Sequence, residues 1–403
     1  MQDTQRLSIL GILRRRMGSA DMLVAVSRIL VVEYVLGLSI WYALANGLKD
    51  LSGTPIGADF IDVYAAGVMV WRGQAAAAYN WVVHSGVEQS VAGYASPYFG
   101  WHYPPPFLAV AALVATVPYL WALALYMAAT FAGYWAVTRR IAPRTKEAFW
   151  ALAAFPGVFA NVGNGQNGFI TTALFGAGLL ALENSPWLAG ALFGLLSYKP
   201  QFFVVIPFVL AIGGYGRAFV ASLASALACA ALSWAAFGTA VWQAFFKSTT
   251  LTRHIVLEQG ATGWQKIQSV FSMTRLWGGG IEAAYAAQTV VAVCALASAA
   301  WIWRKPASFA TRAAALCAAM LLTTPYLLDY DLVILAVPLA FLARQGSETG
   351  FRPYEKIILV ALWLLPLLAR SWGTVSLPIT PPLLVALMGL CLARTRSHRQ
   401  ATA

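Results

Sequence analysis

The chain has 403 residues, of which 60% are hydrophobic and 10% charged, and its mean hydropathy is +0.68. Soluble domains run near half apolar and a quarter charged, so a soluble enzyme is excluded. The formal net charge of +12 does not point to nucleic acid, because the basic residues sit in short clusters beside apolar runs, where they act as topology signals.

Apolar runs of about 18 to 25 residues recur along the chain, each long enough to cross the hydrocarbon core as a helix. They lack the period-2 alternation of barrel strands. The expected fold is an all-α polytopic membrane protein with about 10–13 transmembrane helices, forming one integral membrane domain over residues 1–403. The first run, residues 22–46, follows Arg14, Arg15 and Arg16 and ends in Ala43-Leu44-Ala45, which imitates a signal-peptidase site. Its length and the spans that follow mark an uncleaved signal anchor, after which the chain emerges outside the cytoplasm.

Residues 47–104 then form a first outer loop. Within it, Phe60, Val63, Gly67 and Val70 recur at helical spacing and predict an amphipathic helix on the membrane surface. Further spans are expected at 105–138, 147–163, 169–183, 187–213, 218–237, 281–303, 308–325, 330–344, 355–370 and 378–393. Pro118 interrupts the block 105–138, which reads as one broken span or a hairpin of two; Lys199-Pro200 interrupts 187–213 in the same way. With Arg139, Arg140, Arg144 and Lys146 inside, the loop 161–168 and a second large loop, 241–280, fall outside. The clusters Arg304/Lys305/Arg312, Arg344/Arg352/Lys356 and Arg394/Arg396/Arg399 then mark cytoplasmic ends. Cys229, Cys294, Cys317 and Cys391 lie in apolar segments at no metal-ligand spacing and read as packing residues.

Chemistry is sought in the polar interruptions. Asp59 and Asp62, three apart, share a helix face at the water interface, where a carboxylate can serve as general base for a hydroxyl; the plain alternative is that they solvate or cap a helix. The second loop sets Lys247, Arg253, Lys266, Arg275 and His254 against Glu258, a balance suited to a lipid-linked phosphate or to ordinary interface anchoring. Lys199 lies between apolar stretches, where an ammonium needs a partner, a function or a path to the surface. His102-Tyr103-Pro104-Pro105-Pro106 makes a rigid helix entry, with His102 a packing or hydrogen-bonding residue. Gly165-Gln166-Asn167-Gly168 offers amides to sugar hydroxyls or forms a plain turn. Residues 323–331 carry two carboxylates at a helix boundary. No P-loop, dinucleotide fingerprint, Ser-His-Asp order or HExxH motif is present.

In order along the chain, G-A-D-F-I-D-V-Y-A-A-G (57–67), W-R-G-Q-A-A-A-A-Y-N (71–80), H-Y-P-P-P (102–106), G-N-G-Q-N-G (163–168) and A-G-A-L-F-G-L-L-S-Y-K-P-Q (189–201) resemble glycosyltransferase family 87. Q-K-I-Q-S-V-F-S-M-T-R (265–275) and T-P-Y-L-L-D-Y-D (324–331) extend the similarity over nearly the whole chain. That family contains polyprenol-phosphate-mannose-dependent mannosyltransferases of bacterial envelopes. The resemblance implies a C-type glycosyltransferase fold in the bacterial inner membrane, with periplasmic loop helices and a cavity facing the periplasm. It implies inverting transfer of a sugar, mannose foremost, from a polyprenyl-phosphate donor to a lipid or glycan acceptor. The family's catalytic aspartate falls at Asp59, with Asp62 in reserve. Some members carry histidine where this chain has Tyr326, Asp329, Tyr330 and Asp331.

On this footing Lys199, Lys266 and Arg275, backed by Arg253 and His254, are expected to hold the donor phosphate. Tyr64, His102, Tyr103, Gln166, Asn167, Gln268, Tyr330 and Asp331 are expected on the sugar or acceptor. No cofactor and no divalent metal is expected, since Lys and Arg suffice for a monophosphate leaving group, although the Asp59/Asp62 pair leaves a metal-dependent variant open. The expected partners are membrane lipids, the donor and the acceptor. The rival class is a lipid-linked sugar transporter or flippase. Transporters favour mid-membrane ionisable residues on broken, repeated helices, and only Lys199-Pro200 leans that way.

Overall fold

The structure, a computed structural model, describes residues 19–402 and the side chains of 20–396; the Arg14/Arg15/Arg16 cluster and the Arg399 side chain lie outside the described residues. The chain enters with α1 (Ser19–Ala43). The first loop folds into α2 (Phe60–Trp71) and α3 (Trp81–Ala92), joined by a short turn of helix at Ala75–Tyr79. The block 105–138 resolves into α4 (Phe107–Val114) and α5 (Tyr119–Ile141), broken before Pro118. α6 (Lys146–Ala153) and α7 (Pro156–Gly163) split at Pro156, and α8 (Gly168–Ala181) follows. The block 187–213 becomes α9 (Pro186–Leu195), α10 (Pro200–Phe203) and α11 (Val205–Ile212), with Lys199 at the break. Then come α12 (Gly216–Phe237), α13 (Thr239–Thr252), α14 (Val270–Leu276), α15 (Ile281–Arg304) and α16 (Phe309–Thr323). The chain closes with α17 (Ala336–Thr349), α18 (Glu355–Thr374) and α19 (Thr380–Thr402).

The fold is all-α, as expected, and among the described residues the β-pairing is limited to isolated bridges. The expected 10–13 spans are not all single long helices. Five described helices, α1, α5, α12, α15 and α18, are long and apolar enough to cross a bilayer. α8, with 14 residues, rises only about 21 Å, short of a hydrocarbon core of roughly 30 Å. The reason for the discrepancy is that apolar run length counts residues, whereas Pro118, Pro156 and Pro200 cut the runs into short, angled pieces. α16 shows another route to a short apolar helix. Every residue from Ala313 to Leu322 is buried, so it is apolar on all sides because protein, not lipid, surrounds it.

Long helices separate the two ends of the bundle. The Tyr119 hydroxyl at the start of α5 donates to the Ile56 carbonyl (2.6 Å), while Arg139 and Arg140 close the same helix. α15 begins near Glu258, which accepts from Tyr285 (2.9 Å), and ends at Arg304. At 1.5 Å per residue the basic ends therefore lie about 30 Å from the outer loops. There, Arg394 grips Glu355 in a buried ion pair (2.6 Å).

α2 departs from expectation. It is not a surface helix with one buried side: Phe60, Ile61, Asp62, Val63, Ala65, Ala66, Gly67 and Met69 are all buried. Gly67 faces α4 so closely that a Cβ there would overlap the Ala111 carbonyl and the Ala115 side chain. A mid-helix glycine ordinarily costs roughly 1 kcal/mol against alanine; here it permits a backbone contact no larger residue allows. Gly67→Leu should accordingly destabilise the protein by about 1–3 kcal/mol or more through overpacking, read as a lowered thermal unfolding midpoint in detergent. An unchanged midpoint would show that α2 and α4 are not held in this contact.

Candidate active site

Asp59 immediately precedes α2 and makes no side-chain capping bond, so its carboxylate is available to the interior rather than to the helix start. The preceding Ala58 has φ +37°, a backbone conformation costly for a non-glycine residue. The 163–168 turn presses on this segment: Gly165, at φ +60°, lies where a Cβ would strike the Gly57 carbonyl and Phe60. That approach delivers Gln166, whose Nε2 donates to Asp59 Oδ2 at 2.7 Å. Gln166 is itself oriented by Tyr103, whose hydroxyl donates to Oε1 (3.2 Å), and by Asn161, whose Nδ2 donates to the Gln166 carbonyl (2.9 Å).

Lys266 reaches Asp59 from the second outer loop, its Nζ 3.4 Å from Oδ2. It is held there by a seam with residues 327–329, in which the Gln268 amide donates to the Leu327 carbonyl (2.6 Å) and the Asp329 amide to the Lys266 carbonyl (3.1 Å). Lys199, at the break between α9 and α10, donates to Asp331 Oδ1 at 2.5 Å, with both residues 3% exposed. The two ammonium groups lie 5.7 Å (Lys199) and 5.6 Å (Lys266) from the Tyr330 ring centre, so one aromatic ring serves both cations. These groups line one cavity of about 520 Å³, the size of a small-molecule site. Its wall also includes Asp62, His102, Tyr103, Arg253 and Arg370.

Burial, reinforced by Asp59 and Glu88, pushes the Asp62 carboxyl well above the usual carboxylate range, and its Oδ1 has no hydrogen-bond partner. Asp62 and Asp59 are thus neighbouring carboxyls in different surroundings, and burial of Asp62 favours its protonated form. Asp329, 3.7 Å from Arg370, is likewise pushed up by burial. His102 is pushed down to about 4 by burial and stays neutral at physiological pH. Its Nδ1 hydrogen-bonds the Thr252 hydroxyl (3.0 Å), pinning the first outer loop to the end of α13.

Of the residues singled out in the sequence, Asp59, Asp62, His102, Tyr103, Gln166, Lys199, Arg253, Lys266, Tyr330 and Asp331 line this cavity. Five others are not brought to it. Tyr64 donates to the Val117 carbonyl (3.0 Å) and packs on Phe60 and Tyr119. The Asn167 side chain is buried behind Gln166. Gln268 is committed to the Gln265 carbonyl and the Thr380 hydroxyl (2.7 and 2.6 Å). Arg275 donates to the Gly279 carbonyl (2.8 Å) and stacks over Trp264. His254 pairs with Glu258 (3.2 Å), its side chain largely exposed. Conversely, Arg370, Gln201 and Tyr98 line the cavity without having been selected. Arg370 had a signal: it is a lone base at one end of an apolar run whose other basic neighbours cluster at the opposite end. Among the described residues, no group of three or more His, Cys, Asp or Glu side chains gathers as a metal-ligand set.

Fold and site define a polytopic membrane protein that encloses a carboxylate among lysines near the outer-loop end of its bundle. A family model for glycosyltransferase family 87 matches residues 101–325, more than half of the chain, and the chain belongs to that family. It is a membrane glycosyltransferase. Searches of curated proteins and of solved structures returned no match. The matched stretch carries His102, Gln166, Lys199 and Lys266, whereas Asp59 and Asp331 lie on either side of it.

Two outcomes follow from this electrostatic arrangement. Because the folded-state pKa of Asp62 is raised, its contribution to stability is fully present below the ordinary aspartate range, about pH 4, and is lost as pH rises towards the elevated value. Thermal midpoints of wild type should fall over that window, and Asp62→Asn should flatten the fall. For the buried pair, Lys199→Met strands the Asp331 charge and should cost about 3–5 kcal/mol, whereas Lys199→Met/Asp331→Leu should recover most of the loss. Equal unfolding midpoints for the single and double variants would refute the pairing.

Proposed function

We propose that the protein is an inverting glycosyltransferase that moves a sugar, mannose foremost, from a polyprenyl-phosphate donor to a hydroxyl of a lipid or glycan acceptor at the periplasmic face of the bacterial inner membrane. The observation that carries the reading is Asp59 in one cavity with Lys266 and Lys199. A displacement at the anomeric carbon needs a base for the incoming hydroxyl and positive charge for the departing phosphate, within one sugar's width of each other.

Asp59 accepts the proton of the acceptor hydroxyl as its oxygen bonds to the anomeric carbon. The bond from that carbon to the phosphate oxygen breaks, and the phosphate leaves with the electron pair, stabilised by Lys266 and Lys199. The resting ion pairs give this sequence an order. A donor phosphate competes with Asp59 for Lys266 and with Asp331 for Lys199, so donor binding frees the base at the moment the leaving group is clamped. Two lysines neutralise a monophosphate without a divalent ion. The periplasmic orientation is supported by the basic clusters at the opposite end of the bundle, which the positive-inside rule assigns to the cytoplasm.

The test is transfer of radiolabelled sugar from a panel of polyprenyl-phosphate sugars by purified protein in lipid. Asp59→Asn should lower transfer by about 10²–10⁴-fold at an unchanged unfolding midpoint, and chelator should leave wild-type transfer intact. Transfer that persists in Asp59→Asn would move the base to Asp62 or to residues 324–331. Absence of transfer from every donor would favour transport of a lipid-linked sugar instead.

A further inference from the structure

α1 carries a carboxyl group where a membrane helix should have none. Its apolar span runs over Ala20–Ala43, and Glu33 falls about 2 Å from the midpoint of that span. One side of α1 is docked: Val24 and Ser27 are buried, Tyr34 stacks on Phe159 of α7 at 4.7 Å, and Arg28 lies over the Trp150 ring of α6 at 4.9 Å. The other side carries no contact among the described residues. Ile29, Val32, Leu36 and Ile40 are each more than half exposed, and Glu33 and Gly37 lie exposed on the same face. The Glu33 side chain has no hydrogen bond or ion pair to a described residue; the ion pair of α1, Asp21 with Lys146, sits at the start of the helix. An ionisable side chain at mid-membrane normally faces protein and pairs there. Among the described residues nothing lies within 4 Å of where a Cβ on Gly37 would stand, which leaves room for a second backbone one turn beyond Glu33.

We propose that this face is covered by α1 of a second copy of the chain, in a two-fold dimer whose axis runs along the membrane normal, with Glu33 bonded to Glu33 of the partner subunit. Three points favour a second copy over another protein. All copies share one orientation in the membrane, so their α1 helices are parallel and each Glu33 meets its counterpart at the same depth without adjustment of register. A carboxyl group is both donor and acceptor once it holds a proton, so two of them satisfy one another with no further residue. Finally, Ile29, Glu33, Gly37 and Ile40 follow a spacing of four, four and three, a continuous helical stripe in which the glycine allows close crossing. The dimer face lies apart from the catalytic cavity, so the inference stands independently of the donor and acceptor assigned above.

The test counts subunits by stepwise photobleaching of the fluorescently labelled full chain, reconstituted at low density in lipid vesicles. Wild type should bleach predominantly in two steps. Glu33→Leu, which makes α1 more apolar and easier to insert, should bleach in one, whereas Glu33→Gln, whose amide still donates and accepts, should remain in two. In a Cys294→Ser background, Ile40→Cys should form an intermolecular disulfide on oxidation, and adding Glu33→Leu should reduce its yield at least tenfold. Single-step bleaching of wild type would overturn the proposal and leave the face to a different membrane helix. So would two-step bleaching of Glu33→Leu with undiminished cross-linking.

Discussion

The architecture turns on the expense of a charge removed from water. Lys199 and Asp331 are both nearly inaccessible and meet at 2.5 Å. An isolated charge is costly in that setting, and the attraction between the two fastens the α9–α10 break to the 323–331 segment. Asp59 and Lys266 make the same bargain less tightly at 3.4 Å, joining the first outer loop to the second. At the far end, Arg394 and Glu355 tie α19 to the start of α18. The longer, less buried pair joins the two loops at the cavity, and the shorter, buried pairs tie the scaffold around it.

Those pairs exist because helices stop in the right places. Pro200 follows Lys199 directly and ends the continuous helix that the apolar run would otherwise form, which leaves the lysine at a break instead of along a helix side. Gly165 performs the complementary task, since its positive φ and missing Cβ let the 163–168 turn come against Gly57 and Phe60 and bring Gln166 onto Asp59. Gly67 does the same for α2 against α4. Backbone proximity, and not side-chain bulk, therefore sets the positions of the acid and its amide partner.

Membership of glycosyltransferase family 87 gives this arrangement its chemistry, and the distribution of charge gives it a direction. Asp62, whose carboxyl is pushed upward by burial, a neutral His102 and several buried tyrosines surround Asp59 with hydrogen-bonding groups. The positive charge is confined to a few residues, Lys199, Lys266, Arg253 and Arg370, along the same wall. The cavity therefore combines a hydrogen-bonding wall with a local cationic patch.

The sequence by itself determined the membrane class, the all-α fold, the family and the residues that are exceptional for their surroundings. Asp59 and Lys199 stood out because a charge beside or within an apolar run is costly wherever the chain goes, and Gln166 because it sits in a turn of small, polar residues. The tertiary structure alone decided which long polar side chains converge. Arg275 and Lys266 are equally basic and nine residues apart, yet one stacks on Trp264 while the other reaches Asp59, because the seam with residues 327–329 fixes where each backbone segment points. Likewise, the burial of α2 depended on contacts between segments distant in the chain. Hydropathy measures how much a residue avoids water, and it does not distinguish lipid from protein as the place it goes instead.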